Sequence, residues 1–366
     1  MSNVVFYRKY RPQNFESVTG QDAIVKTLSN AIINNKIAHA YLFTGPRGTG
    51  KTSLARIFAK AINCQKRNNK EFEPCNKCQT CLEINDGSSL DVIEFDAATN
   101  TGIDDIRALQ DNAKIKPVNS QYKIYIIDEA HQLSKSAYGA LLKILEEPPE
   151  YIIFILATTD PEKMLKTILS RVQRFDFKKL VIDEIVKKLE TILKEEKIGY
   201  ELTALNLIAK ESDGGMRDAE SMLGQITTMS KKVTLEVVEN IIGGVNQNKI
   251  ASFVDLLIAK DNQKLFQAIN DLDNNGYNLE EFYKSLIEYI QSLLTIKVSS
   301  DLASLFKHEI SEDFINVLKK QADKTDIKFI KKAIKCLINN QTYFGVVQNN
   351  RLPIEISVLE ITEEQK

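Results

Sequence analysis

The feature that most narrows the fold is the octapeptide Gly45-Pro46-Arg47-Gly48-Thr49-Gly50-Lys51-Thr52, a complete GxxxxGK[ST] loop. It follows a short apolar run, AYLFTG (40–45), and opens a helical pattern over 51–63. A strand before and a helix after are the setting in which such a loop cradles phosphate. Its glycines let successive backbone N–H groups point one way, and the helix N-terminus adds partial positive charge. Residues Gly45 to Ser53 are therefore expected to wrap phosphate. Lys51 would reach the β and γ phosphates, and Thr52 would hold Mg²⁺.

A parallel sheet must surround a loop of this kind. Three further apolar runs fit its strands: DVIEFDA (91–97), KIYIID (123–128) and YIIFILATT (151–159). Near-continuous Val, Ile, Leu and aromatic content predicts strands buried on both faces. Helices are predicted between them over 22–36, 51–63, 103–114 and 134–146, giving an α/β sheet covered by helices. The run KIYIID ends in Asp128, and Glu129 follows it. At a strand end beside the loop, Asp128 is expected at Mg²⁺ and Glu129 at the attacking water. Thr159, with Thr158 as the alternative, is a candidate for contact with the γ-phosphate or its water. His131 is expected to orient or pack, not to ligate metal.

After residue 179 the pattern turns helical. LVIDEIVKKLETILKEEK repeats its apolar residues at helical spacing, and helices fit 203–211, 216–229 and 234–241. Gly243-Gly244 punctuates the chain. Amphipathic segments follow at 248–260, 262–274, 278–297, 311–323 and 326–346, and Pro353 suits the first turn of a last helix. Three parts are predicted: an α/β domain over 1–178, a small helical domain over 179–243 and an all-α domain over 244–366.

Four of the five cysteines, Cys64, Cys75, Cys78 and Cys81, fall within 18 residues. The N-terminal stretch MSNVVFYRKYRPQNF has no apolar core of a secretory signal, so a cytoplasmic chain is expected, and clustered thiols there suggest metal, not disulfides. Four thiolates at this spacing suit a closed, structural Zn²⁺ site; a [4Fe–4S] cluster is the competing reading. Cys336 is expected in a helical core. No apolar run approaches the length of a membrane span. The net charge of −1 argues against a generally basic nucleic-acid binder, although residues 1–180 carry 25 Lys+Arg against 20 Asp+Glu.

The motifs RKYRPQNFESVTGQD (8–22), HAYLFTGPRGTGKT (39–52), IIDEAHQLS (126–134), LLKILEEPPE (141–150), LATTDPEK (156–163), ILSRVQRFDF (168–177) and GGMRDAES (214–221), with the four-cysteine insert, stand in one order. In that order they resemble the gamma/tau clamp-loader subunits of bacterial DNA polymerase III, within the AAA+ ATPases. The resemblance implies an ATPase domain carrying a zinc module at about 64–81, a helical lid and a helical collar that assembles subunits. It implies that Arg171, in Ser170-Arg171-Val172, reaches the ATP site of the next subunit; the family has Cys where Val172 stands. Arg217 would sense the γ-phosphate, and Arg11, Pro12 and Val18 would frame the adenosine. Implied cofactors are ATP, Mg²⁺ and Zn²⁺. Implied partners are the delta and delta-prime subunits, other copies of the chain, the beta sliding clamp, primer–template DNA bound without sequence preference, and the polymerase III core. The longer family form continues into segments for the polymerase and helicase, which are not expected here. Two rivals remain. A non-hydrolysing subunit like delta-prime is opposed by the intact Lys51, Thr52, Asp128 and Glu129. Another AAA+ machine, such as a branch-migration helicase, is opposed by the cysteine insert and Ser170-Arg171-Val172.

Overall fold

A computed structural model describes residues 5–68, 70–99, 109–242, 247–299 and 312–363. Gly243-Gly244 and the first half of the helix predicted over 103–114 lie outside them. The chain forms two compact units, Met1–Val233 and Thr234–Lys366.

In the first unit, α1 (Phe6–Lys9) and α2 (Asp22–Ile33) precede β1 (Ala40–Thr44) and α3 (Lys51–Asn63). Then come α4 (Gln79–Asp86), β2 (Val92–Asp96), β3 (Lys123–Asp128), α5 (Lys135–Glu146), β4 (Ile152–Thr158), α6 (Lys166–Leu169) and β5 (Gln173–Asp176). The five strands are parallel in the order β2-β3-β4-β1-β5. Although the central strands read as unbroken apolar runs, they divide their residues between the faces. Tyr41, Phe43, Ile124, Ile126, Ile153 and Ile155 enter one core with α2 and α3. Leu42, Tyr125, Ile127, Phe154 and Leu156 enter the other with Leu141 and Ile168. This is the two-residue period of a strand, with both faces covered. Strand β4 runs between β1 and β3, and Thr44 pairs with Thr158 across it. The carboxyl ends of β1, β4 and β3 thus share one edge.

Helix α5 starts where Ser134 caps it, its hydroxyl accepting the Ala137 N–H at 3.1 Å. β5 is an edge strand that the apolar-run reading missed: only Phe175 of its four residues is buried. Next, α7 (Ile182–Glu196), α8 (Leu202–Glu211) and α9 (Met216–Met229) pack together, joined by the two-residue parallel strands β6 (Gly199–Tyr200) and β7 (Lys232–Val233). Helix α1 packs on α9.

The second unit contains α10 (Leu235–Ile242), α11 (Gln247–Ala259), α12 (Asn262–Asn274), α13 (Leu279–Val298), α14 (Glu312–Lys324), α15 (Ile327–Gln341) and α16 (Leu352–Thr362). The 20-residue α13 is central and packs on α11, α14 and α15. Asp261, Asn278 and Asp326 cap α12, α13 and α15 through side-chain oxygens. Pro353 stands in the first turn of α16. Cys336 packs against the apolar core, as expected from its helical setting. No helix among the described residues is long and apolar enough to cross a membrane.

Candidate functional site

The glycine loop leaves β1 through Gly45 at φ +142° and enters α3 through Gly50 at φ +98°. Gly48, at φ +77°, lies so close to Gly215 that an added Cβ would meet its Cα at 3.0 Å. The glycine loop thus touches the start of α9 backbone to backbone, and only glycine fits on that side of the loop.

The Lys51 side chain is buried and folded along the loop. Its ammonium donates to the carbonyl oxygens of Gly45 and Pro46, both at 2.7 Å. Burial lowers its pKa, and the negative charges of Glu129 and Asp128 work against that shift. Thr52 Oγ1 donates to Asp128 Oδ2 at 2.7 Å, so the hydroxyl and the carboxylate meet at one point between α3 and β3. The other Asp128 oxygen accepts the Glu129 N–H at 3.0 Å. Glu129, with φ +46°, turns the chain away from the strand. Its Oε2 accepts from Thr159 Oγ1 at 3.2 Å. His131 Nδ1 lies 2.9 Å from Thr158 Oγ1 and 3.4 Å from Glu129 Oε2.

These residues open onto a cleft of about 140 Å³. Its walls include Arg47 to Ser53, Asp128 and Glu129, together with Arg11, Pro12, Val18 and Arg217. Most of the expected site is therefore brought together. Gly45, Pro46 and Thr159 are adjacent to these groups but do not line the cleft. Arg171 is elsewhere: its guanidinium pairs with Glu146 at 3.0 Å on the surface and donates to the Thr167 carbonyl at 2.8 Å. Val172 packs against the α/β core.

The structure adds wall residues that sequence reasoning missed. Tyr7 presents its ring to Arg217, with Cζ 5.0 Å from the centroid. Lys188 also lines the cleft, with no motif to mark it. Glu220, only 5% exposed, lines it too, and burial pushes its carboxyl up to about 7 against the pull of Lys188 and Arg11. Glu220 stands three residues after Arg217 on α9, a helical spacing that could have flagged it.

Cys64, Cys75, Cys78 and Cys81 gather in a second cluster, their sulfurs all within 4.8 Å of one another. Two of the separations are 4.0 Å. Four sulfurs about 2.3 Å from a tetrahedral Zn²⁺ stand roughly 3.8 Å apart, so the cage needs only a slight contraction to fit that ion. The knuckle also resembles a thiolate site in its N–H donors. Although burial opposes it, the backbone N–H groups of Lys77 and Cys78 pull the Cys75 thiol down to about 6.

Comparison with known proteins covers almost the whole chain. Residues 20–181 match a family model described as DNA polymerase III, delta subunit. Residues 184–232 match the DNA polymerase III clamp loader subunit ATPase lid domain. Residues 233–365 match domain III of DNA polymerase III subunits gamma and tau. The tau subunit of Bacillus subtilis is 45% identical over 316 residues, covering 86% of this chain and 56% of that protein. The gamma/tau subunit of Mycoplasma genitalium is 40% identical over 346 residues, 94% of this chain and 56% of that protein. The gamma subunit of Buchnera aphidicola from Acyrthosiphon pisum is 34% identical over 362 residues, 99% of both chains. The chain thus spans about half the length of the Bacillus and Mycoplasma relatives and nearly all of the Buchnera one. Among solved structures, the Thermotoga maritima RuvB Holliday junction branch migration motor is 18% identical over 68% of this chain and 79% of its own, with a TM-score of 0.49, too loose to carry weight.

Proposed function

Because the chain belongs to the gamma/tau family of DNA polymerase III subunits, we propose that it is an ATP-hydrolysing motor subunit that loads the beta sliding clamp onto primed DNA. One observation carries the catalytic part: Lys51, Thr52, Asp128, Glu129 and Arg217 converge on one cleft although they come from three stretches of chain. A structural subunit with a degraded phosphate loop has no need of that convergence.

In this reading the N–H groups of residues 45–53 take the ATP phosphates, and Lys51 leaves its carbonyl partners to meet the β and γ phosphates. Thr52 and Asp128 would hold Mg²⁺, which would supply positive charge against the charge developing on the transferring phosphoryl group. Glu129 orients and deprotonates water, while Thr159 and His131 keep its carboxylate in place. Arg217 reads the γ-phosphate from α9, and Arg11, Pro12 and Val18 hold the adenosine. The surface position of Arg171, outside its own cleft, agrees with service in the site of a neighbouring copy. Its exchange from Glu146 to a phosphoryl group would occur on assembly.

The four cysteines would hold a structural Zn²⁺, which supplies folding energy and no reaction step. Residues 1–178 serve as the ATPase domain, 179–243 as lid and 244–366 as collar. Partners are the delta and delta-prime subunits, further copies of the chain, the clamp, primer–template DNA contacted mainly at phosphates, and the polymerase III core, in the cytoplasm.

The test is ATP hydrolysis by the complex assembled with delta and delta-prime, with and without clamp and primed DNA. Stimulation by clamp and DNA, lost in Arg171→Ala and Lys51→Ala complexes, is the expected result. Hydrolysis that ignores clamp and DNA would overturn the clamp-loading role.

A further inference from the structure

We infer that the four-cysteine lobe is a supporting wall of the nucleotide cleft, and that Lys60 and Glu73 are the positioning residues that join the two. The inference rests on reading the cleft as a nucleotide site. Segment 11–18 supplies Arg11, Pro12 and Val18 to the cleft, yet it contains neither helix nor strand. A strap without regular structure needs an outside support to hold its side chains in place.

The cysteine lobe provides that support. Both carboxylate oxygens of Glu73 accept strap N–H groups, from Phe15 and Glu16, each at 2.9 Å. Phe72 meets Phe15 edge to face at 5.8 Å. Beneath them Lys60, 1% exposed, donates to Gln13 O at 2.8 Å and Gln13 Oε1 at 2.9 Å on the strap. Asn76 Oδ1 at 2.8 Å and Asn85 Oδ1 at 2.7 Å on the lobe share the same ammonium, so four acceptor oxygens surround its three N–H groups. Asn76 lies in the knuckle between Cys75 and Cys78, held at φ +52°. Asn85 lies on α4, which carries Cys81.

A buried ammonium shared in this way makes strap and knuckle one unit, because moving either leaves a desolvated charge short of acceptors. Lys60 also rides on α3, the helix that begins with Lys51. One rigid element therefore presents one lysine to the phosphate end of the cleft and another to the lobe. Closing the four thiolates around Zn²⁺ fixes Asn76, and through Lys60 and Gln13 it fixes the strap. Nucleotide affinity then depends on zinc although no cysteine touches the nucleotide. By linkage, ATP must tighten zinc by the same factor.

The experiment titrates a fluorescent ATP analogue, with Mg²⁺ in excess, into the 366-residue chain. The chain is taken zinc-loaded, stripped by a zinc-selective chelator, and reloaded with Zn²⁺. Supporting partners of this kind are worth on the order of 10-fold, so stripping should weaken binding about 10-fold and reloading should restore it. Zinc affinity measured by chelator competition should rise by the same factor when ATP is present. Glu73→Gln, which keeps one acceptor oxygen, should raise KM for ATP in the assembled complex while kcat holds. Lys60→Met, which leaves only the Glu73 bonds and the Phe72 contact between lobe and strap, should shrink the difference in ATP affinity between zinc-loaded and stripped protein. Asn76→Ala tests the same bond should Lys60→Met not fold, as judged by circular dichroism. Wild-type ATP affinity that stays within twofold on zinc removal overturns the inference and leaves the cleft reading standing. Wild-type protein that binds no ATP in any state overturns both.

Discussion

The two units bury different things. Among the described residues, the first unit hides Lys51, Lys60, Asp91, Lys123 and Glu220 below one tenth exposure. Among the described residues of the second unit, the buried polar ones are uncharged: Gln321, Thr325, Asn340, Ser357 and Thr362. There, each satisfies a neighbour at short range. Gln321 accepts from Tyr289 Oη at 2.5 Å and donates to the Ala251 carbonyl at 2.9 Å. Tyr283 Oη meets Leu337 O and Ser357 Oγ at 3.0 and 2.6 Å. Burying a charge costs far more than burying a hydroxyl. Of the buried charged residues, Lys51 and Glu220 line the cleft and Lys60 joins strap and lobe, while Asp91 and Lys123 bind backbone groups of the 112–119 segment. The second unit has the composition of a scaffold, a continuous apolar core pinned by a few neutral hydrogen bonds.

That contrast can be broken by mutation. Phe282→Ala, removing a fully buried ring that meets Phe253 edge to face at 5.1 Å, should cost about 3–5 kcal/mol of stability in urea unfolding. ATP affinity should not change; if it does, the units are energetically coupled. Lys51→Ala should act the other way, lowering ATP hydrolysis by the assembled complex about 10²–10³-fold, or about 2.7–4 kcal/mol. Its melting temperature should hold or rise, since a desolvated ammonium has been removed.

Glu220 sharpens the comparison through pH. Its folded pKa of about 7 lies above the ordinary 4.5. The folded state therefore holds more protons between those values, and stability falls as pH rises through that window. Glu220→Gln should match wild type near pH 5 and exceed it by roughly 3 kcal/mol at pH 8, read as diverging melting temperatures. The smallest effect is expected at Gly215. A Cβ there would stand 2.9 Å from Asp218 Oδ2 and 3.2 Å from the Arg47 carbonyl. Gly215→Ala should push α9 off the phosphate loop and weaken ATP binding about tenfold, about 1.4 kcal/mol, by fluorescence titration.

The parts of this protein legible in the sequence are those governed by local pattern. The glycine loop, the paired acids after KIYIID, the cysteine spacing and the long amphipathic helices each depend on residues near in the chain. β1, β3 and β4 came through as apolar runs because both of their faces are buried. β2, an edge strand with one buried residue, was still legible from Val92, Ile93 and Phe95, whereas β5 has Phe175 as its one apolar residue among Gln173, Arg174 and Asp176, and its place is decided by pairing with β1. The order β2-β3-β4-β1-β5, which brings Asp128 to Thr52, is a matter of long-range pairing that no local period encodes. The same holds for Tyr7 beneath Arg217, for the buried carboxyl of Glu220 in the cleft wall, and for Lys60 between strap and knuckle. Their sequence neighbours say nothing of which distant groups surround them, and burial and partners alone make an ordinary tyrosine, glutamate or lysine part of a site.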